Sequence, residues 1–270
     1  MARPHVYRTE AVVLRRQDLG EADRILTLYT PRHGKVRAVA KGTRRPQSRL
    51  AGHLELFTRS TLLIAQGRDL DIITQAQTLD AFRGLRDDLL RLTCAGYVGE
   101  VLDRLTPERE ENEPLFGLLV VTLGRLASQP HPERAVRLFE MQALCLLGHR
   151  PQLVRCAECQ HLLEPVPSFY SPPAGGVLCP ACGRRTPGAR PLSLGAFKLL
   201  RLLQRNDYAL LQRLRLSAAL LDEVEELLRA QIESVAERTL RVPRLLQDVR
   251  MVLRPSATTA AALAEGPPGP

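Results

Sequence analysis

Two pairs of cysteines constrain the fold of this chain more than any other feature of its sequence. Cys156 and Cys159 form one C-x-x-C motif, Cys179 and Cys182 form another, and nineteen residues separate the pairs. A C-x-x-C turn aims two sulfurs at one ion, and two such pairs at this separation match a tetrahedral four-thiolate zinc site. We therefore predict a zinc module over residues 151–190, with these four cysteines as ligands and His161 as an alternative ligand.

Disulfides, a redox pair and a catalytic zinc compete with this interpretation. The N-terminal sequence MARPHVYRTEAVV lacks the continuous apolar stretch of a secretory signal, which argues against structural disulfides. A thioredoxin-type motif uses one cysteine pair, and a catalytic zinc needs an open position that four thiolates close. We expect a structural zinc ion, and we expect Cys94 and Cys145 to be core residues of helices.

The first 80 residues are typical of a small β-barrel. Segments rich in Val, Ile, Leu, Thr and Tyr alternate with turn residues, which predicts five short strands at 7–15, 24–30, 34–41, 53–65 and 71–77. Five strands on a small domain indicate an OB-fold, although an SH3-like barrel has a similar signature. We predict an OB-fold barrel over residues 1–79.

Helical periodicity begins after this segment and returns after the cysteines. Apolar residues recur every three or four positions, which predicts a helical domain in two parts, residues 80–150 and 191–253. Residues 254–270 hold too few apolar side chains for a core and are expected to be disordered. The predicted fold class is therefore α+β and multidomain, with the zinc module embedded in the helical region.

The excess positive charge is concentrated in the predicted barrel. Residues 1–60 contain thirteen Lys and Arg against five Asp and Glu, whereas residues 61–270 contain twenty-five against twenty-four. A domain this basic most often faces a polyanion, and nucleic acid is the first candidate. No apolar run reaches the roughly 20 residues needed to cross a bilayer, so we expect a cytoplasmic protein that does not act at a membrane.

Alternation in the segment GKVRAVAKG indicates where nucleic acid would bind. In a strand it directs Val36, Ala38 and Ala40 to the barrel interior and the cations to the outer wall. The following loop, GTRRPQSRL, adds three arginines. Because the first 80 residues contain few aromatics for base stacking, we expect phosphate contacts and sequence-independent binding of single- and double-stranded DNA. The predicted nucleic-acid-binding residues are Lys35, Arg37, Lys41, Arg44, Arg45 and Arg49.

Two other functional classes remain open. A zinc-containing RNA-binding or transcription-associated module would share the basic barrel and the cysteines. A metal-dependent nuclease would need acidic groups, for which Glu21 with Asp23 and Asp69 with Asp71 are candidates, although acids are common at such turns. Motifs for nucleotide hydrolysis, dinucleotide binding and zincin proteolysis are absent from the sequence, and we expect a protein without enzymatic activity.

Three segments together resemble the RecO family of bacterial DNA-repair proteins. They are GEADRILTLYTPRHGKVRAVAKGTRRPQSRL, FEMQALCLLGHRPQLVRCAEC and the second cysteine motif, CPAC. The resemblance covers most of the chain in order and implies an OB-fold, a helical domain and a four-cysteine zinc module. It also implies a recombination mediator in the nucleoid that binds DNA, anneals complementary strands and acts with RecR. Such a mediator helps to load the RecA recombinase onto gaps coated by single-stranded DNA-binding protein.

The resemblance further places a partner contact on the helical domain. The acidic, apolar-ended tail of single-stranded DNA-binding protein would bind there, and a cation beside an apolar cleft suits such a tail. In the segment ERAVRLFEMQALCLLG the candidate residues are Arg134, Arg137 and Phe139.

Overall fold

The N-terminal part of the chain folds into a closed five-stranded barrel. The computed structural model describes residues 5–253. The strands are β1 (Val6–Leu19), β2 (Asp23–Thr30), β3 (Gly34–Ala40), β4 (Arg59–Ala65) and β5 (Asp71–Asp80). Strand β1 pairs with β2 and β4, β2 pairs with β3, and β5 closes the barrel between β4 and the parallel neighbour β3. The predicted OB-fold barrel is confirmed.

Small and branched apolar side chains fill the barrel. Ala38 and Ala40 of β3 are fully buried in its interior, as the alternation of GKVRAVAKG predicted, and Val36 is buried as well. The rest of the interior comes from the other four strands and from the segment before β4. Its buried members are Ala11, Val13, Leu26, Leu28, Leu54, Leu62, Ile64 and Ile73.

The end of β1 and the start of β4 differ most from the sequence prediction, by four and six residues, and β5 ends three residues later than predicted. Strand β1 continues to Leu19 because its second half pairs with β2 from Val12 onward, and a bulge between Val13 and Arg15 shifts the register within that pairing. Strand β4 begins at Arg59 and not at residue 53. The preceding residues Ala51–His53 form a short 3₁₀ helix, and the next residue, Leu54, is buried in the barrel core. An extended chain is therefore not formed there.

Seven helices of the predicted helical domain and one short cysteine-containing helix follow the barrel in the described part of the chain. They are α1 (Leu89–Leu105), α2 (Glu113–Ser128), α3 (Pro132–Leu146), α4 (Pro180–Gly183), α5 (Leu194–Gln204), α6 (Tyr208–Arg213), α7 (Ala218–Ala236) and α8 (Val242–Leu253). Helix α3 packs against α1 and α2 and also against α5 and α7, so the two helical segments form one body. The predicted helical region is confirmed.

Polar N-caps explain where several helices begin. Side chains of Asp88, Asn112, Ser193, Asp207 and Ser217 each accept a backbone N–H of the first turn that would otherwise lack a partner. Helix α1 therefore begins at Leu89, later than the apolar periodicity of residues 80–105 indicated. Within residues 5–253, no helix has the length and apolar character required to span a membrane.

The cysteine segment contains a small sheet that the sequence did not predict. Strands β6 (Ser168–Ser171), β7 (Gly176–Leu178) and β8 (Arg190–Leu192) form it in the order β7-β6-β8. Runs of three or four residues are too short to give a periodicity signal. The predicted disordered tail, residues 254–270, lies outside the described residues.

One apolar core links the barrel, the helices and the cysteine segment. Val12, Tyr29 and Phe57 on the outer wall of the barrel belong to the same buried cluster as residues of α1, α2, α3, α5 and α7. Tyr170 of β6 also belongs to it, and its hydroxyl donates to Gln231 of α7 at 2.9 Å. The barrel is therefore packed firmly against the helical region, and only the rest of its wall is free for ligands.

Candidate metal centre and nucleic-acid surface

The four cysteines of the two C-x-x-C motifs converge on one point. Their sulfur atoms all lie within 4.8 Å of one another, and the Sγ atoms of Cys159 and Cys179 are 3.9 Å apart. Zinc–sulfur bonds of about 2.3 Å in a tetrahedron place sulfurs about 3.8 Å apart. The cluster therefore fits a zinc module of the four-thiolate structural type.

Backbone hydrogen bonds shape each cysteine turn. In the first, Gln160 N–H donates to the Cys156 carbonyl at 3.0 Å, and Gln160 adopts a positive φ of 61° that reverses the chain. In the second, α4 begins at Pro180, and Gly183 N–H donates to the Cys179 carbonyl at 2.9 Å. The two turns also touch directly, because Cys179 N–H donates to the Cys156 sulfur at 3.3 Å.

The second turn requires glycine at position 183. A Cβ placed on Gly183 would lie 2.2 Å from the ring of Phe169 on β6. The contact involves the ring carbons nearest the backbone and the Phe169 Cβ, which cannot swing away as a flexible chain end would. The sheet and the cysteine turn therefore approach each other at a distance that only glycine permits.

The two buried sulfurs differ in how readily they ionise. Burial raises the pKa of the Cys156 thiol, but N–H groups of Cys179, Cys159 and Glu158 outweigh burial and lower it to about 6. At Cys182, the hydrogen bond with the Cys179 thiol, followed by burial and the other sulfurs, raises the pKa to about 12. A bound dication would favour the thiolate form of every ligand.

His161 and the remaining two cysteines lie outside the metal cluster. The exposed His161 uses its backbone carbonyl to accept the Cys156 N–H at 2.8 Å, and its side chain is not part of the cluster. Cys94 is fully buried in α1, and burial raises the pKa of its thiol to about 12, while Cys145 is half-buried in α3. Both thiols are packing residues, as the sequence indicated.

Four of the six predicted DNA-binding cations are free on the barrel surface. Arg37 on β3 is exposed, as are three residues of the loop after it, Lys41, Arg45 and Arg49. None of the four forms an ion pair with another described residue. Their charges are therefore available to a polyanion.

Lys35 and Arg44 have partners within the protein. Lys35 is 8 % exposed because α1 covers it. Its Nζ donates to the Asp103 carbonyl at 2.6 Å and to the Asp103 carboxylate at 3.0 Å. The expectation that Lys35 is exposed with the other cations on the outer wall is wrong, because the helical region packs on that part of the wall. Arg44 is exposed but folds back, donating to the Gly20 carbonyl at 2.9 Å.

The loop after β3 is held to the turn between β1 and β2. Gly42 N–H donates to the Asp23 carboxylate at 2.7 Å, and Arg44 N–H donates to the Ala22 carbonyl at 2.9 Å. Gly42 has a positive φ of 66°, which glycine adopts without strain. These hydrogen bonds fix the position of the loop that carries Arg45 and Arg49. Asp23 therefore has a structural role.

The other acidic candidate and the aromatic residues also have structural roles. Asp71 is fully buried and accepts hydrogen bonds from the Tyr7 hydroxyl at 2.6 Å and from Arg109 at 2.9 Å. Within residues 5–253, the four cysteines are the group of potential ligands that converges on a metal site. Tyr29 and Phe57 are buried, which leaves little aromatic surface on the barrel for base stacking.

The three residues predicted to contact a partner on α3 are buried and engaged within the protein. Phe139 is completely buried in the helical core, and Arg137 is 2 % exposed between Glu140 (3.0 Å) and Glu225 (3.3 Å). Arg134 is 6 % exposed and donates to the carbonyls of Leu211 and Gln212, both at 2.9 Å. These side chains hold helices together, because α3 lies at the centre of the bundle. Arg137 also lines a pocket of about 180 Å³ that includes Leu90 and Leu221, whereas Phe139 belongs to the packed core.

Arg15 of β1 is an exposed cation on the barrel wall beside Arg37 that sequence reasoning missed. Arg15 pairs with Thr27 of β2, which in turn pairs with Arg37 of β3. Directly paired residues project to the same face of a sheet, so Arg15 and Arg37 flank Thr27. Only the strand register shows that Arg15 lies on this face. The bulge after Val13 interrupts the simple alternation of side chains, so the sequence does not reveal it.

The fold and the two sites together define an OB-type barrel protein with a cationic outer wall and a helical region that carries a four-cysteine metal module. Family models support a narrower assignment. Residues 1–82 match the model described as Recombination protein O N terminal, and residues 86–244 match Recombination protein O C terminal.

Curated relatives agree with this assignment. The chain is 46 % identical over 255 residues to the DNA repair protein RecO of Roseiflexus sp. (strain RS-1), covering 94 % of this chain and 90 % of the relative. It is 37 % identical over 251 residues to RecO of Dehalococcoides mccartyi (strain CBDB1), covering 93 % and 99 %. It is 36 % identical over 249 residues to RecO of Symbiobacterium thermophilum, covering 91 % and 98 %. The chain belongs to the RecO family of DNA repair proteins.

Proposed function

We propose that this protein is a non-enzymatic recombination mediator that binds single- and double-stranded DNA through its barrel. The observation that carries the proposal is the set of exposed, unpaired cations Arg37, Lys41, Arg45 and Arg49 on one wall and its adjoining loop. Each cation that contacts a phosphate releases counterions, which gives affinity without base recognition. Binding is therefore largely independent of sequence.

The same surface is suited to annealing complementary strands. Annealing requires that repulsion between two phosphate backbones is reduced while the base edges remain free to pair. A cationic wall whose aromatic residues are buried meets both conditions, because it attracts backbones without stacking the bases. No covalent step is needed, and the protein would act with DNA in the nucleoid of the cytoplasm.

The partners of the proposed mediator follow from the family. RecR would act with this protein, single-stranded DNA-binding protein would coat the DNA on which it acts, and RecA would be loaded as the result. Because Phe139 and Arg134 are engaged in the helical core, the part of the predicted contact that could receive the acidic tail of single-stranded DNA-binding protein is the pocket beside Arg137.

We further propose that the four-cysteine cluster holds a structural zinc ion. Cys156, Cys159, Cys179 and Cys182 would all be thiolate ligands and would leave no open coordination position. The role of the ion is to fix the two cysteine turns against the small sheet and the helices behind it.

Salt-dependent binding of labelled DNA tests the proposed surface. A variant with Arg37, Lys41, Arg45 and Arg49 changed to alanine should lose most of its affinity for both DNA forms. The slope of log affinity against log salt should become shallower by about 0.7 per lost contact for single strands and about 0.9 for duplexes. The matched control changes three arginines and one lysine to alanine. They are exposed on α5 and α6 or on the loops that follow these helices, namely Lys198, Arg205, Arg213 and Arg215.

The outcomes separate this proposal from its rivals. Equal losses in the barrel variant and the control would show that the barrel is not the binding surface. A strong preference for RNA over DNA of the same sequence would favour an RNA-binding module, which reads 2′-hydroxyl groups. Shortening of labelled DNA in magnesium or manganese would indicate a nuclease.

A further inference from the structure

Two grooves meet at Arg15, where the barrel joins the helical region. The first groove, of about 230 Å³, lies on the outer wall of the barrel and is lined by Arg15, Thr27, Lys35 and Arg37 together with Asp103 and Glu108. The second, of about 260 Å³, lies between β1 and helices α1 and α8. Because Arg15 and Asp103 line both grooves, the two form one continuous surface.

The second groove adds cations from the helical region. Arg104 near the end of α1 and Arg241 just before α8 line it opposite Arg15. Across the two grooves five cations face three carboxylates: Arg15, Lys35, Arg37, Arg104 and Arg241 face Glu100, Asp103 and Glu108. The surface therefore carries net positive charge along its whole length.

Two of the three carboxylates are engaged by groups of the protein itself. Asp103 pairs with Lys35 at 3.0 Å. The Glu100 carboxylate accepts the backbone N–H groups of Arg241 (2.8 Å) and Val242 (2.8 Å) and lies 3.9 Å from Arg104. Arg15 and Arg241 are exposed and form no ion pair within the described residues. These two guanidinium groups are therefore available to a ligand.

The floor of the second groove leaves room for a bound strand. Gly96 of α1 lines the groove, and a Cβ placed on it would meet no atom within 4 Å. Glycine inside a helix is less stable than alanine. The first atom of a side chain at this position would therefore lie in open space beside the groove.

We propose that a nucleic-acid strand bound on the barrel wall continues through the second groove, where Arg15, Arg104 and Arg241 contact its phosphates. The inference rests on the proposed DNA-binding function and extends it from the barrel to the junction with the helical region. The groove is continuous with the barrel cations and carries exposed guanidinium groups. Both features favour the phosphate backbone of a nucleic-acid strand as the occupant.

The inference predicts that the effect of a mutation depends on the length of the DNA. An oligonucleotide of about 8 nucleotides can be bound by the barrel alone, whereas one of about 25 nucleotides exceeds the site of one barrel and enters the second groove. Arg241→Ala should weaken binding of the long single strand by about threefold to tenfold and leave the short one unchanged. Arg15→Ala should weaken both, because Arg15 belongs to both grooves.

Substitutions at Gly96 provide a second test that removes no contact. Gly96→Glu places a carboxylate in the groove and should weaken binding of the long strand, whereas Gly96→Gln, of the same size but neutral, should have little effect. Thermal melting of each variant reports whether α1 remains folded. Arg205→Ala, at the residue that follows α5, is the control for loss of one exposed charge.

Several results would overturn the inference. Unchanged long-strand affinity in Arg241→Ala and Gly96→Glu, in a protein whose barrel variant has lost binding, would refute the second groove and leave the barrel site intact. Equal losses for short and long strands in Arg241→Ala would refute the continuous path. Weaker binding of poly-glutamate by Arg241→Ala, with DNA affinity unchanged, would assign the groove to an acidic protein. If the barrel variant with four alanines binds DNA normally, the proposed DNA-binding surface is refuted, independently of the second groove.

Discussion

At the scale of single residues, Lys35 and Arg37 show that two cations on one strand can have different roles. The side chains alternate as the sequence predicts, but α1 covers Lys35 and leaves Arg37 exposed. Lys35→Ala removes two hydrogen bonds to Asp103 and should lower the free energy of unfolding by about 1–2 kcal/mol. Arg37→Ala should leave stability unchanged and weaken DNA binding.

Denaturant titration and DNA binding of both variants check this prediction. Lys41→Ala is the matched control for Lys35→Ala, because Lys41 is exposed and follows the same strand. A Lys35→Ala protein with normal stability and strongly reduced DNA affinity would contradict the structural role of Lys35 and restore it to the binding surface.

A second residue-scale prediction concerns the buried charges behind α3. Burial raises the pKa of Glu140 to about 7 from 4.5, although Arg137 and the hydroxyl of Tyr97 lower it and Glu225 raises it. Between pH 4.5 and about 7, the Glu140 carboxyl is therefore protonated in the folded state and ionised in the unfolded state. The stability from this group is fully present below pH 4.5 and is lost as the pH rises through about 7.

Stability measured against pH tests the Glu140 prediction. The wild-type free energy of unfolding should contain a component that falls between pH 4.5 and 7, and Glu140→Gln should lack it. Glu226→Gln, an exposed acid on α7, should retain it. Parallel curves for wild type and Glu140→Gln would show that Glu140 is ionised in the folded protein throughout this range.

At the scale of elements, the second cysteine turn depends on the contact between Gly183 and Phe169. Gly183→Ala forces the turn away from β6 and should destabilise the protein by about 1–3 kcal/mol. It should also lower metal affinity, because Cys182 is displaced with the turn. Gly188→Ala is not a suitable control because Gly188 has a φ of 74°, whereas Gly117→Ala on α2 meets no atom within 4 Å.

Metal content and melting temperature of the two glycine variants decide this prediction. Gly117→Ala should be neutral or slightly stabilising, since alanine favours the helix. Normal melting and full metal content in Gly183→Ala would mean that Phe169 moves aside at little cost.

The elements that could be predicted from sequence are those with a repeated pattern. The five barrel strands and the long helices carry alternation or helical periodicity over many residues, and the spacing of the cysteines indicates that their sulfurs converge on one point. The segment before β4 was misread as strand, because local β-propensity does not show that Leu54 turns into the barrel core. The burial of Lys35, Arg137 and Phe139 depends on contacts between distant segments, which no local pattern contains.

At the scale of the whole molecule, the cysteine module is part of the main core. Cys156 and Cys182 belong to the same buried cluster as the helices of the bundle, and Tyr170 of the module bonds to α7. Loss of metal should therefore destabilise the helical region as a whole and not only the residues next to the sulfurs. The barrel has an interior core of its own, which the cysteines do not reach.

Removal of one ligand tests this coupling. Cys159 is exposed, so Cys159→Ser changes a ligand with little effect on packing. Loss of the ion should cost at least about 3 kcal/mol and lower the melting temperature by about 10 °C. Cys145→Ser, a half-buried thiol outside the cluster, is the control. Below its melting temperature the Cys159→Ser protein should still bind short DNA, because the barrel surface is intact. Full zinc occupancy with unchanged melting would show that Cys159 is not a ligand, and loss of zinc with unchanged melting would show that the ion does not support the core.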